Sequence, residues 1–197
     1  MQMDYTPLPL YPIKPHVCCY PPRNSLPDQV ELRSPALFVM TDLRRVLAVT
    51  VALHVSIPSA LAKMKYEGVR MLLVTNARDE VLGLITASDI QGEKPLKYLE
   101  QSGGRHEDIE VRDIMTPHER LEVLHMGDVL KASVGDVVAT LQRAGRQHAL
   151  VVESEADPGR ESVRGIFSST QIARQLAMPV EIISAAHTFA ELEMVLN

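Results

Sequence analysis

A short segment at Gly83–Asp89 carries residue types that can bind a phosphorylated sugar. It follows an apolar run and precedes a helical pattern, so the hydroxyls of Thr86 and Ser88 stand where a strand ends and a helix begins. Free amide groups and the positive end of the helix dipole attract anions there, and Gly83 leaves room for a ligand. The Asp89 carboxylate can accept hydrogen bonds from two neighbouring ribose hydroxyls. The segment therefore predicts a ligand site.

The same residues also fit a purely structural interpretation. Thr86-x-x-Asp89 is a helix-capping pattern, which stabilises a helix by about 1 kcal/mol and needs no ligand. The spacing does not separate capping from ribose binding, and Thr86 can serve both.

A second segment, Gly165–Gln171, repeats this pattern with one change, because Gln171 stands where the first segment has its aspartate. An amide offers one acceptor oxygen and must direct its NH2 group elsewhere, so it binds a diol less well than a carboxylate does. Ser168-x-x-Gln171 also fits a capping box. We therefore expect one dominant site and a second site that is weaker or empty.

The residues before the first segment predict the elements that position it. An apolar run at 46–51 predicts a strand, and 56–67 predicts a helix with Pro58 in its first turn and Gly68 at its end. Residues 71–75 and 81–85 predict a hairpin joined by a polar turn, with a further helix from Thr86.

The second half of the chain repeats this order. Residues 128–132 predict a short strand, Ser133 to Asp136 predict a helix cap, and the helix ends near Gly145. Residues 148–152 and 163–168 then predict a second hairpin. A unit of strand, helix, strand, strand and helix is too small to bury its own sheet, so we expect the two copies to pack together.

The remaining segments lie outside the repeats. Residues 1–35 hold eight of the 13 prolines, which predicts an extended arm on the surface. We divide the chain into an arm, a first unit, a linker, a second unit and a tail, at 1–42, 43–105, 106–118, 119–177 and 178–197. Pro179 breaks the preceding helix, 180–183 fit a short strand, and 188–191 predict a last helix with a capping box.

Composition excludes several classes of function. The net charge is -5 and aromatic residues are 4%, so neither a basic surface nor a stacking platform for nucleic acid is indicated. No run approaches the roughly 20 apolar residues of a membrane span, and the N-terminus lacks a signal-peptide core. The adjacent Cys18 and Cys19 cannot form a useful disulfide framework. We expect a soluble, cytoplasmic protein.

Catalytic and metal-binding patterns are not indicated. His16-x-Cys18-Cys19 lacks the further ligands of a structural zinc site, so we expect no metal. The sequence contains no nucleophile elbow, HExxH or P-loop pattern, and we can name no acid, base or nucleophile. The protein is therefore not expected to be an enzyme.

Three motifs together resemble the tandem CBS-domain family, also called Bateman modules. They are the linker sequence Val-Arg-Asp-Ile-Met-Thr-Pro at 111–117, the run Gly-Val-Arg-Met-Leu-Leu-Val at 68–74, and the Gly83–Asp89 segment, which looks like the family's ribose-binding signature. The resemblance covers roughly residues 43–177. It implies an α/β fold of two βαββα CBS units packed with pseudo-twofold symmetry, commonly in a disc-shaped homodimer.

The family resemblance also implies a function and a fuller set of site residues. Modules of this family bind AMP, ADP, ATP, S-adenosylmethionine or similar ligands in their clefts, and no obligatory cofactor is implied. Adenine would lie in an apolar slot between Val51 and the pair Arg70 and Met71, although all three also fit plain packing or surface roles. The weaker second site would comprise Ser168, Thr170, Gln171 and His148.

Two hypotheses follow from the resemblance. In the first, the chain is a stand-alone regulatory module that senses an adenosine-containing ligand and transmits its presence to an effector protein. In the second, it is a ligand-independent dimerisation or interaction module that uses its arm or tail to bind another protein. The neutral Gln171 favours the second hypothesis slightly.

Overall fold

The computed structural model describes residues 26–155 and 160–178, which form two sheets packed against helices. Within these residues the strands are β1 (Thr41–Asp42), β2 (Thr50–Val51), β3 (Met71–Thr75), β4 (Val81–Thr86), β5 (Thr116–Pro117), β6 (Val123–His125), β7 (His148–Ser154) and β8 (Glu161–Ser168). The α-helices are α1 (Ile57–Glu67), α2 (Ala87–Gln91), α3 (Lys94–Ser102), α4 (Val111–Ile114), α5 (Met126–Val129), α6 (Val134–Ala144) and α7 (Ser169–Gln175).

The two sheets have matching topologies, β2-β3-β4-β5 and β6-β7-β8-β1. In each unit a parallel pair is connected through a helix, and an antiparallel hairpin follows. Met71 lies opposite Thr86 in the first hairpin, and His148 lies opposite Ser168 in the second. The predicted α/β fold with a repeated strand, helix, strand, strand and helix is therefore confirmed.

The units exchange the short strands that precede them. Strand β5 comes before the second repeat in the chain but pairs with β4 of the first unit. Strand β1 comes before the first repeat but pairs with β8 of the second unit, with Thr41 opposite Ile166. Each sheet therefore takes its edge strand from chain that leads into the other unit.

Residues 30–42 contribute to the second unit in a way that the sequence analysis did not predict. Leu32 is buried, Ala36 and Val39 are fully buried, and Met40 packs over Gly165 in the core of the second unit. The proline-rich composition suggested a surface arm because it describes only local backbone preference. This part of the arm is held instead by long-range apolar burial.

Local stop and cap signals form as predicted. Gly68 and Gly145 end α1 and α6 in the left-handed conformation, with φ of 67° and 60°. A side chain at either position would strain the backbone, so glycine is favoured. Ser133 and Asp136 form a complete capping box, in which the Ser133 amide and hydroxyl donate to the carboxylate at 2.8 and 2.7 Å.

Three apolar clusters hold the fold together. One fills the first unit around Ile57, Leu72 and Ile85, and another fills the second around Val138 and Phe167. The third lies at the seam between the units, where Met71, Leu73 and Leu150 are buried. Since the seam residues come from both sheets, the two hairpins face each other there.

Two predicted strands differ from the structure. Residues 128–132 do not form a strand, because Met126 and Val129 are buried at a helical spacing of three while Leu130 is 61% exposed. This segment includes the end of α5, and the strand of the second unit is β6. In the run at 46–51 only Thr50–Val51 is strand, since Leu47 is 95% exposed.

Several predictions concern residues that the structure does not describe. The arm before residue 26, with His16, Cys18 and Cys19, lies outside the described residues, as does the tail from Pro179. In residues 26–155 and 160–178 no helix is both long enough and apolar enough for a membrane crossing. No cluster of three or more potential metal ligands occurs in the same ranges.

The strand exchange predicts that Met40→Ala destabilises the protein although Met40 precedes the first repeat. Its side chain is 2% exposed, so the substitution leaves a cavity in the second unit and lowers the free energy of unfolding by about 2 to 5 kcal/mol. Denaturant unfolding measures this loss. Leu47→Ala is the control, because an exposed side chain changes stability by about 0.5 kcal/mol or less. Equal stabilities of the two variants would contradict the packing described.

Candidate ligand-binding clefts

Two open clefts lie on either side of the seam, and each is built from both units. The first cleft has a volume of about 430 Å³ and is lined by the start of α2, by residues 120–122 and by residues 145–148 of the second unit. The second cleft has a volume of about 550 Å³ and is lined by the start of α7, by Thr41 and by residues 68–71 of the first unit. Both volumes are in the range of small-molecule sites.

The predicted site residues are divided between the clefts crosswise. Thr86, Ser88 and Asp89 line the first cleft together. Arg70 and Met71, which the sequence analysis grouped with them, line the second cleft. The grouping is therefore corrected, because the units face each other and the start of each hairpin approaches the helix start of the other unit.

The predicted second-site residues are also redistributed. Ser168, Thr170 and Gln171 line the second cleft together. His148 borders both clefts, since it lies at the start of β7 near the seam. It is therefore shared between the sites rather than confined to the second.

Two predicted residues, Val51 and Gly83, do not line either cleft. Val51 is 6% exposed and packs in the core of the first unit. A Cβ at Gly83 would collide with the Thr116 carbonyl oxygen, so this glycine permits the close approach of β5 to β4. Its small size accommodates protein backbone rather than a ligand.

Asp89 completes the predicted capping box. Its Oδ2 accepts hydrogen bonds from the Thr86 amide at 2.8 Å and from the Thr86 hydroxyl at 2.7 Å. The Asp89 amide donates to Thr86 Oγ1 at 3.1 Å. The other carboxylate oxygen, Oδ1, lies 2.7 Å from Nζ of Lys94. The structural interpretation is therefore confirmed, and the carboxylate is held in one orientation at the cleft wall.

The helix that follows is shorter than the dipole argument needs. Helix α2 spans only Ala87–Gln91, and the cap already occupies the Asp89 amide. A helix of this length has a small dipole, so its contribution to anion binding is weaker than the sequence analysis expected. Ser88 is exposed, and its Oγ lies 3.5 Å from Oε1 of Gln147 across the first cleft.

The corresponding helix start in the second unit has a different hydrogen-bond arrangement. Ser168 makes no side-chain capping hydrogen bond, so the predicted capping box at Ser168 and Gln171 is wrong. Gln171 Oε1 accepts from the Thr41 hydroxyl at 3.3 Å, and its Nε2 donates to Gln175 Oε1 at 3.4 Å. The competing partner, Thr41, comes from the exchanged strand β1.

Gln175 links this arrangement to the N-terminal segment. Gln175 is only 3% exposed, and its Nε2 donates to the carbonyl oxygens of Pro27 at 2.7 Å and Phe38 at 2.9 Å. The Val30 amide donates to the Gln175 carbonyl at 2.9 Å. These bonds fix residues 27–38 against α7.

His148 is held in its neutral form. Burial is the main cause, followed by the positive charge of Arg70, and together they lower the pKa of His148 from 6.5 to about 4. Asp89 acts in the opposite direction. At neutral pH the imidazole is therefore an uncharged hydrogen-bonding group between the clefts.

Sequence reasoning missed several residues that line the clefts. The first cleft includes Arg120, Leu121, Arg146 and Gln147, and the second includes Thr41 and Arg174. The repeat contains a usable signal for two of them, because Arg146 and Gln147 follow Gly145 as Val69 and Arg70 follow Gly68. No local pattern identifies Thr41, whose position depends on a strand pairing across the chain.

Comparison with known proteins identifies the class. The family model of the CBS domain matches residues 39–93. No curated protein matches the sequence. The fold is similar to a crystal structure of an uncharacterised conserved protein from Pyrococcus horikoshii, with 23% identity over 73% of this chain and 92% of that one and a TM-score of 0.51. Residues 39–93 thus match the CBS domain, and the second unit repeats the strand order of the first.

Two further structures have similar coverage. A CBS-domain-containing protein from Agrobacterium tumefaciens is 22% identical over 68% of this chain and 88% of its own, with a TM-score of 0.49. A CBS domain pair solved with 5′-methylthioadenosine and S-adenosyl-L-methionine is 20% identical over 72% of this chain and 98% of its own, with a TM-score of 0.48.

The position of His148 predicts a pH-dependent stability. Its pKa in the folded protein lies below the value of 6.5 in the unfolded chain, so acid protonates the unfolded state first. The stabilisation is present above pH 6.5 and is lost as the pH falls towards 4. Between about pH 7 and about pH 4.5 the loss from this group is about 2 kcal/mol.

Denaturant unfolding at the two pH values measures the loss, with His148→Met as the comparison. Methionine occupies the equivalent position, Met71, in the first unit and does not titrate. The variant should therefore lose about 2 kcal/mol less than the wild type on acidification. An identical loss in both proteins would show that His148 titrates normally.

Proposed function

We propose that the protein is a regulatory module that binds an adenosine-containing ligand, such as AMP, ADP, ATP or S-adenosylmethionine, between its CBS units. The observation that carries this proposal is the pair of open clefts, each lined by residues of both units. A ligand in such a cleft contacts both units at once. Its binding free energy therefore depends on their relative placement, which is the requirement for a ligand-driven change.

Asp89 is the proposed ribose-binding residue of the first cleft. The cap fixes its orientation through Oδ2, while Oδ1 is paired with Lys94, whose side chain is 44% exposed. An ion pair with such an exposed partner contributes about 1 kcal/mol or less. Two ribose hydroxyls can therefore replace the ammonium group at modest cost. Capping and ligand binding are compatible at this residue because they use different oxygens.

The adenine slot of the first cleft is proposed to differ from the one expected from sequence. Leu84, Leu121 and Leu150 line this cleft, whereas Val51 lies in the core. These leucines provide an apolar wall for a flat base, with Ser88 and Gln147 offering hydrogen bonds at the rim. The slot is formed jointly by the two hairpins and by Leu121, at the start of the second unit.

A regulatory role is proposed rather than a catalytic one. Among the described lining residues, Ser88 has a glutamine as its hydrogen-bond partner, and His148 is partly buried at the seam. The Thr86 hydroxyl does contact the Asp89 carboxylate in the first cleft, but both groups are engaged in the helix cap, where Thr86 Oγ1 also accepts from the Asp89 amide. We propose that the ligand changes the packing of the two units, or of two subunits in a homodimer, and that an effector protein responds.

Binding of AMP, ATP, adenosine and S-adenosylmethionine, measured by calorimetry and by thermal shift, tests the proposal. At least one should bind and raise Tm, because a ligand of the native state stabilises it. Asp89→Ala should weaken binding of a ligand in the first cleft by about tenfold, the equivalent of one charge-assisted hydrogen bond. The variant also loses its helix cap, so its Tm falls without ligand.

Asp136→Ala is the matched control. It removes the corresponding carboxylate from the capping box of α6, which lies outside both clefts. It should lower Tm by a similar amount and leave ligand affinity unchanged. Equal affinities of the Asp89→Ala and Asp136→Ala proteins for every ligand that binds the wild type would contradict the assigned site. Failure of all four ligands to bind the wild type would favour a ligand-independent interaction module.

A further inference from the structure

The first cleft has a balanced set of charges. Its charged lining residues are two acidic side chains, Asp89 and Glu122, and two basic ones, Arg120 and Arg146. Arg146 is paired with Glu122 at 2.7 Å, and Asp89 is paired with Lys94 at the same distance. Among the described lining residues only Arg120 is then a cation outside any ion pair, and an entering phosphate group would also meet two carboxylates, so this cleft attracts an anion only weakly.

The second cleft is cationic. Its charged lining residues are Arg70 and Arg174, and no carboxylate is among the described residues that line it. None of the ion pairs between described residues involves either arginine. The charge of Arg70 helps to lower the pKa of His148, which lines the same cleft. Two guanidinium groups therefore face this cleft with no anionic side chain from residues 26–155 and 160–178 beside them.

The polar groups of the second cleft suit a phosphate better than a diol. Ser168 and Thr170 supply hydroxyls, and the Ser168 hydroxyl is not used as a cap. Gln171, at the position of the ribose-binding carboxylate, is already bonded to Thr41 and Gln175. A carboxylate at this position would repel an anion, whereas the neutral amide does not. Val69, Met71, Ile166 and Met178 add an apolar wall.

We infer that the second cleft binds a phosphate-bearing ligand, which Arg70 and Arg174 recognise without any contact to a ribose diol. The first cleft, in contrast, takes an uncharged or zwitterionic adenosine derivative. The inference rests on the proposed function, because it assigns different ligand classes to the two clefts of that module. It opposes the sequence-based expectation that the glutamine leaves the second cleft weak or empty.

Calorimetry of the full chain with AMP, adenosine and 2′-deoxyadenosine 5′-monophosphate tests this assignment. Arg174→Gln and Arg70→Gln should each lower AMP affinity by about tenfold, since each removes a charge-assisted contact to phosphate. Adenosine affinity should change less than about twofold. The deoxy nucleotide should bind within about threefold of AMP, because the diol is not recognised.

Arg120→Gln is the matched control, because Arg120 is also exposed but lines the first cleft. It should leave AMP affinity within about twofold of the wild type. Circular dichroism checks that all three variants fold, and salt should weaken AMP binding more than adenosine binding.

Two outcomes would overturn the assignment. In the first, Arg120→Gln weakens AMP binding while Arg70→Gln and Arg174→Gln leave it unchanged. In the second, 2′-deoxyadenosine 5′-monophosphate, which lacks the 2′-hydroxyl, does not bind. In either case adenosine or AMP still binds and the proposed function stands. If neither these ligands nor S-adenosylmethionine binds the wild type, the proposed function fails together with the assignment.

Discussion

The apolar seam between the two hairpins is the contact on which the rest of the structure depends. Met71, Leu73 and Leu150 are removed from water only when the two units face each other, so burial of their side chains holds the sheets together. Exchange of β1 and β5 reinforces this arrangement, because each sheet takes an edge strand from chain leading into the other unit. The two clefts exist because the units meet at this seam, and each cleft is incomplete without both.

The aspartate of the first repeat and the glutamine of the second give the two clefts different hydrogen-bond arrangements. Where Asp89 forms a closed cap with Thr86, the carboxylate is fixed and adds negative charge to the first cleft. Where Gln171 stands instead, the cap is absent and the amide bonds to Thr41 and Gln175. The network then continues to the carbonyls of Pro27 and Phe38. The second cleft is therefore connected to the N-terminal segment, and the first is not connected in this way.

Local patterns predicted the elements well, and long-range pairing limited the prediction of the site. The sequence correctly indicated the features that depend on neighbouring residues. These are the helix ends at Gly68 and Gly145, the two hairpins and the Asp89 cap. The crosswise placement of Arg70 and His148 depends on how the units face each other, which no local spacing encodes. Burial of Met40 likewise depends on contacts with residues more than a hundred positions away, including Gly165. The segment at 128–132 was mistaken for a strand because a short apolar run fits either period.

Hydrogen exchange in the presence of a bound adenosine ligand tests most directly whether the ligand is held between the two units. We predict that the ligand slows amide exchange in both units at once, at the helix start of one and at the hairpin start of the other. For the first cleft these segments are 86–91 and 145–150, and for the second cleft they are 168–172 and 68–72. Protection confined to one unit, or to segments away from both clefts, would contradict it.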